Sequence, residues 1–124
     1  MISKFGVVMR QFRSRTGESL RTMSSKLEIS PAFLSAMEVG RRQIPQDYLP
    51  KIKDLYNLNE EDYIRLQEAA METNQRVDIE LSKMNEAQKA VSMTFARRIG
   101  NADPELIEKL RKVLEENNDN KEGK

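Results

Sequence analysis

The residues able to do chemistry in this chain are cationic and hydroxylic rather than nucleophilic. The stretch Ser30-Pro31-Ala32-Phe33-Leu34-Ser35-Ala36 runs through Glu38 and Gly40 into Arg41-Arg42-Gln43. Guanidinium forks donate in pairs to phosphate oxygens, and hydroxyls donate to phosphates or to base edges. Such a segment suits an anionic polymer. Covalent and metal chemistry has little to run on, because the 124 residues include no cysteine and no histidine. Disulfides, thiol nucleophiles, thiolate metal sites, the commonest general base and the commonest metal ligand are all removed. The carboxylates Glu60, Glu61 and Asp62 fall at a helix start, where acids favour the macrodipole, and Glu115 and Glu116 fall at the polar end of the last helix. Neither group has a partner base, so no enzyme activity, cofactor or metal is expected.

The net charge of +1 conceals an asymmetry. From Met1 to Leu58 ten bases face five acids, a net of +5, whereas the remainder carries 11 bases and 15 acids, a net of −4. An anionic partner is therefore expected for the front part alone. With 33% charged residues and no long apolar run, no membrane span is expected. Arg10 and Arg13 interrupt the start before an apolar segment could form, so no signal peptide is expected either.

The elements that must position these groups read as helices nearly throughout. Phe5, Val8, Met9 and Phe12 recur at helical spacing up to Thr16-Gly17, a C-cap signal. Ser19 caps a short second helix with Leu20, Met23 and Leu27, and Ser30-Pro31 opens a third that buries Leu34 and Met37 and stops at Gly40. Residues 41–45 form a loop. Asp47 is expected to cap a fourth helix with Leu49, Ile52 and Leu55 on one face, and Asn59 a fifth with Tyr63, Leu66 and Ala70. Beyond Asn74 the pattern changes: Val77, Ile79 and Leu81 alternate with Asp78 and Glu80, which predicts one short strand. Asn85 and Gln88 make a capping box for a helix bearing Ala87, Val91, Phe95 and Ile99, and Asp103-Pro104 opens a last one with Leu106, Ile107, Leu110, Val113 and Leu114. Residues 117–124 contain no apolar side chain and read as a disordered tail.

The local order around the second and third helices is that of a helix-turn-helix. A small residue, Ser24, stands where two helices must cross closely. The third helix buries Leu34 and Met37 and leaves Ser30, Pro31, Ala32, Phe33, Ser35 and Ala36 off that side. Met9-Arg10-Gln11-Phe12-Arg13 with Gly17 and Ser19, the run from Ser30 to Gly40, and Pro45, Leu49, Ile52, Leu55 and Leu58 together carry a resemblance. On these motifs residues 5–58 resemble the Cro/CI-type helix-turn-helix domain of bacterial and phage repressors, the XRE family.

The resemblance implies a five-helix lambda-repressor-like domain that places the third helix in the DNA major groove. It implies that Arg41 and Arg42 contact backbone phosphates, and that Arg13 pairs with Glu38 in a structural role. Gln43 is expected to add a phosphate or base contact. The chain departs from the family at Leu20, where a phosphate-donating Gln is frequent, and at Glu28, where the turn often has Gly. Its third helix also lacks the Gln, Asn or Arg that make bidentate base contacts. Readout there falls to apolar contact with thymine methyl groups and to the hydroxyls of Ser30 and Ser35. Phe33 is either such a contact or a core aromatic, and Ser30 either a phosphate contact or only a cap. Lys4, Arg10, Arg15 and Lys26 are weaker candidates for phosphate contact.

One such module binds DNA firmly only when paired on two half-sites. The isolated strand needs a partner, which a second copy would supply about a two-fold axis. Val77, Ile79, Leu81, Val91, Phe95, Ile99, Leu106 and Leu110 are therefore expected to dimerise, the competing reading being that these helices pack back on their own domain. The sequence thus predicts an all-α chain with a DNA-binding domain over residues 1–74, a dimerisation region of one strand and two helices over residues 75–116, and a tail. The expected function is a dimeric, sequence-specific double-stranded DNA-binding regulator, a repressor occupying promoter DNA; a cytoplasmic protein, bacterial or phage-encoded and associated with the nucleoid when bound, is expected. Two alternatives stand beside it: an antitoxin-type protein whose C-terminal half holds a partner protein, and an inhibitor or adaptor that does not bind DNA.

Overall fold

Side-chain caps mark where most of the helices begin. The computed structural model describes residues 1–122, with side chains as far as Glu116. Its elements are α1 (Lys4–Thr16), α2 (Leu20–Lys26), α3 (Pro31–Glu38), α4 (Tyr48–Leu55), α5 (Glu60–Asn74), α6 (Glu86–Arg98), a 3₁₀ turn (Ile99–Asn101) and α7 (Pro104–Glu122). Ser3, Ser19, Ser30, Asn59 and Asn85 each accept a backbone N–H three residues on, and Asn85 completes a reciprocal box with Gln88. Asp103 Oδ1 accepts from the Leu106 N–H at 2.9 Å, opening α7.

The chain is all-helical among its described residues and divides into two units after Val77. In the first unit α1 packs on α5 and α3, α2 on α3, and α4 on α5. Phe5, Met9 and Phe12 of α1, Met23 and Leu27 near α2, Leu34 and Met37 of α3, Ile52 of α4 and Leu66 of α5 form the centre of the core. Burying a side chain of this size is worth about 1.5–3 kcal/mol. Gly6 lets α1 approach α3: a Cβ there would meet the Glu38 carbonyl oxygen at 2.3 Å. That carbonyl accepts the Ser3 N–H at 2.9 Å and the Ser3 hydroxyl at 2.8 Å, so the start of α1 is sewn to the end of α3.

Left-handed residues follow each of α1 to α5. After α2, Glu28 has φ 60°; its N–H donates to the Ser25 carbonyl at 3.1 Å and the Ile29 N–H to the Ser24 carbonyl at 3.0 Å. Asn57 (φ 48°) and Gln75 (φ 54°) repeat the arrangement after α4 and α5. These are Schellman closures, and a side chain in this conformation costs roughly 1–2 kcal/mol relative to glycine.

The second unit consists of α6, the 3₁₀ turn and α7, and none of its described residues is buried. Several expectations are corrected here and in the first unit. Val77 to Leu81 form no strand; Val77 is 66% and Ile79 45% exposed, because no other described segment offers the N–H and C=O groups a ladder requires. The Met84 N–H instead closes a turn on the Leu81 carbonyl at 3.0 Å. Asp47 makes no side-chain cap, since its own backbone is helical and the Tyr48 and Leu49 N–H groups donate to the Pro45 and Gln46 carbonyls. Leu55 is 43% exposed rather than part of the core. α7 continues through Glu122, past the point where composition suggests a disordered tail, and residues 123 and 124 lie outside the described residues.

No helix among the described residues is long and apolar enough to cross a membrane.

Candidate nucleic-acid interface

The candidate surface is built outward from the core. Leu34 and Met37 anchor the inner side of α3 with 0% and 1% exposure. The residues off that side divide in two: Ser30, Ala32 and Ser35 are exposed, whereas Pro31, Phe33 and Ala36 are half-buried. Ser30 Oγ accepts the Phe33 N–H at 3.0 Å, which makes it the cap; a hydroxyl that accepts one bond retains its own proton as a donor. No amide or guanidinium lies on this helix.

Past α3 the chain turns at Gly40, with φ 79°. The Arg41 N–H donates to the Ala36 carbonyl at 2.9 Å and the Gly40 N–H to the Met37 carbonyl at 3.2 Å. This closure projects Arg41, Arg42 and Gln43 into solvent, all three exposed. Two anchors then return the loop to the body. Ile44 is buried in the core, and its backbone is gripped from both sides by Asn74: the Ile44 N–H donates to Asn74 Oδ1 at 2.8 Å and Asn74 Nδ2 donates to the Ile44 carbonyl at 3.0 Å. Asn74 is absent from the sequence-level candidates. The signal for it was slight: an amide at the last residue of an amphipathic helix, thirty residues from the loop it holds.

Phe33 touches both the core and the loop. Its ring meets Tyr48 edge-on, with centroids 6.2 Å apart and planes at 79°, and the Arg42 guanidinium carbon lies 4.6 Å from its centroid. Lys51 Nζ lies 5.5 Å from the Tyr48 ring centroid.

Arg13 and Glu38 meet inside the first unit, with Nη1 to Oε2 at 2.5 Å and Nη2 to Oε1 at 2.9 Å, and side chains only 10% and 5% exposed. The bond to Glu38 raises the Arg13 pKa, so the guanidinium stays charged at every accessible pH. Arg13 Nη1 also lies 3.3 Å from Met23 Sδ. The pair joins α1 to α3 beneath the candidate surface without reaching it. Of the remaining cations, Lys4 pairs with Glu72 at 2.8 Å, Arg15 with Asp62 at 2.6 Å, and Lys26 with Glu18. Arg10 is exposed. Among the described residues no group of acids is placed to hold a metal ion.

In the second unit Val91, Phe95 and Ile99 of α6 and its following turn, with Leu106 and Leu110 of α7, line one apolar groove of about 330 Å³. Val77, Ile79 and Leu81 do not line it.

No protein-family model, no curated protein and no solved structure matches this chain.

Proposed function

We propose that this chain is a sequence-specific double-stranded DNA-binding regulator of the lambda-repressor-like type, acting as a dimer that represses by occupying promoter DNA. One observation carries the reading: an exposed polar and basic surface, running from Ser30 along α3 to Arg41, Arg42 and Gln43, is held rigid by a buried inner face and by the Asn74 grip on Ile44. A helix end with hydroxyls and a small methyl side chain fits against base edges, and the loop cations fit the flanking phosphates. The apolar groove of α6 and α7 supports assembly with a second copy, since Phe95 is 38% and Val91 69% exposed.

The test is fluorescence anisotropy of the purified protein with labelled duplexes from its own upstream region at low ionic strength. Binding is expected, with Arg41→Ala weakening every duplex and flattening the salt slope by about one. No affinity for any duplex refutes the reading. Sedimentation velocity is expected to give a dimer that Phe95→Asp converts to a monomer.

A second reading is favoured by the same groove: an antitoxin-type protein whose helices α6 and α7 hold a different protein. Co-purification of a neighbouring gene product at fixed stoichiometry, with a monomeric chain in its absence, would select it.

A further inference from the structure

The outer surface near α3 carries an arrangement that sequence spacing does not reveal. Arg42, Phe33, Tyr48 and Lys51 form a continuous stack: guanidinium over ring at 4.6 Å, ring edge to ring at 6.2 Å, ammonium over ring at 5.5 Å. Phe33 is half-buried against the core, so the stack rests on a fixed base rather than on a mobile loop. Each spacing lies within the range where ring quadrupoles attract edges and cations.

We propose that Phe33 and Tyr48 form an aromatic shelf that fixes the Arg42 guanidinium for a DNA phosphate, and that Lys51, at the far end of the shelf, is a second phosphate contact. The proposal rests on the DNA-binding reading and deepens it. Phe33 is then a positioning residue and does not read thymine methyl groups. The physical reason lies in how a guanidinium stacks: its flat face lies on the ring while its N–H donors point outward in its own plane. Stacking therefore consumes none of the donors that grip a phosphate. It also removes rotamer freedom before binding, a cost that otherwise weakens affinity by roughly 2- to 10-fold per ordered long side chain. Lys51, on α4 and exposed, extends the cationic line past the Arg41-Arg42 loop.

The experiment is a double-mutant cycle on the full chain, read by anisotropy with a mixed-sequence duplex and with the best-bound upstream duplex. Phe33→Leu is expected to weaken both duplexes by about 2- to 5-fold, and Phe33→Tyr to restore affinity. In the Arg42→Ala background Phe33→Leu is expected to have no further effect. Lys51→Ala is expected to weaken both duplexes and to lower the salt slope by about one. Additive losses for Phe33→Leu and Arg42→Ala, or a Phe33→Leu loss confined to one sequence, overturn the positioning role. An unchanged slope for Lys51→Ala overturns the second contact. Thermal melts accompany each variant, and if Phe33→Leu unfolds, Tyr48→Leu takes its place in the cycle, made in a Lys51→Ala background because Tyr48 supports both the Phe33 edge and the Lys51 ammonium. Failure of the unsubstituted protein to bind any duplex is a different result and refutes the function itself.

Discussion

Replacing Glu38 with alanine leaves the Arg13 guanidinium charged inside the first unit, with Met23 Sδ at 3.3 Å and the nearby Tyr56 hydroxyl in place of a carboxylate. Both side chains of the pair are nearly shielded from water, at 10% and 5% exposure, so water cannot take over from the missing carboxylate. Removing one member of such a pair costs roughly 3–5 kcal/mol, a large share of the roughly 5–15 kcal/mol that holds a small domain together. The bonds that the Ser3 N–H and hydroxyl donate to the Glu38 carbonyl survive the substitution, so the loss belongs to the carboxylate. Raising the pH offers no escape, because the pKa of Arg13 is raised rather than lowered in its surroundings.

Urea unfolding followed by far-ultraviolet circular dichroism measures the loss as a drop in midpoint at unchanged slope. Two further variants sharpen it. Glu38→Gln keeps the shape and one acceptor and is expected to fall between alanine and the natural residue. The double variant Arg13→Met, Glu38→Leu removes both charges and is expected to recover most of the stability lost by either single change. A Glu38→Ala loss below about 1 kcal/mol would show that the guanidinium finds water or another acceptor, and would refute the reasoning. DNA affinity, where measurable, is expected to fall equally for all sequences, since the pair lies under the candidate surface.

Gly6→Ala normally strengthens a helix by about 1 kcal/mol, but here its Cβ would sit 2.3 Å from the Glu38 carbonyl oxygen, so a net loss of about 1–2 kcal/mol is expected by thermal melting and a gain refutes the close approach. Glu28→Gly relieves a left-handed side chain at φ 60° and is expected to raise stability by about 0.5–1 kcal/mol despite the added unfolded-chain freedom; a loss would indicate that the Glu28 side chain contributes more than its backbone costs. Asp62, bonded first to Arg15 and then flanked by Arg65, has its pKa lowered, as does Glu18 beside Lys26. Their stabilisation is therefore fully present above the ordinary carboxylate range and is lost as pH falls through their folded values. The difference in melting temperature between the natural chain and Asp62→Asn should accordingly exist at neutral pH and vanish in strong acid, and a difference constant with pH counts against it.

Helix ends were the most legible feature because a cap is a local event. Ser19, Ser30, Asn59, Asn85 and Asp103 all begin helices from within three residues of the N–H they satisfy, and no distant part of the chain can override that bond. Asp47 defeated the same reasoning because tight turns on Pro45 and Gln46 satisfied the N–H groups before its carboxylate could. The alternation of Val77, Ile79 and Leu81 misled for the opposite reason: a strand is defined by a partner, and period-2 patterning says nothing about whether one exists. The candidate surface was legible as a segment, from Ser30 to Gln43, but not as a device. Asn74 holds the loop from thirty residues away, and Tyr48 and Lys51 join Phe33 and Arg42 through space. Long-range placement of this kind is set by the packing of α4 and α5, which no short window of sequence encodes.

Two incomplete features also bear on each other. The exposed side of α3 offers hydroxyls and methyl groups but none of the bidentate donors that each contribute about 1–3 kcal/mol of base discrimination. A single copy on DNA would thus hold phosphates well and sequences poorly. The pair α6 and α7 is deficient in another sense, since none of its described residues is buried, and two helices so exposed do not offset the entropy of ordering themselves. A second copy, as proposed, would answer both deficits. It would cover Val91, Phe95, Leu106 and Leu110, and it would require two half-sites at fixed spacing, so that discrimination weak at each half-site is multiplied across the pair. On the proposed function, specificity in this protein arises from assembly more than from any one base contact. Substitutions in the groove should then relax sequence preference more than substitutions of Ser30 or Ser35 do.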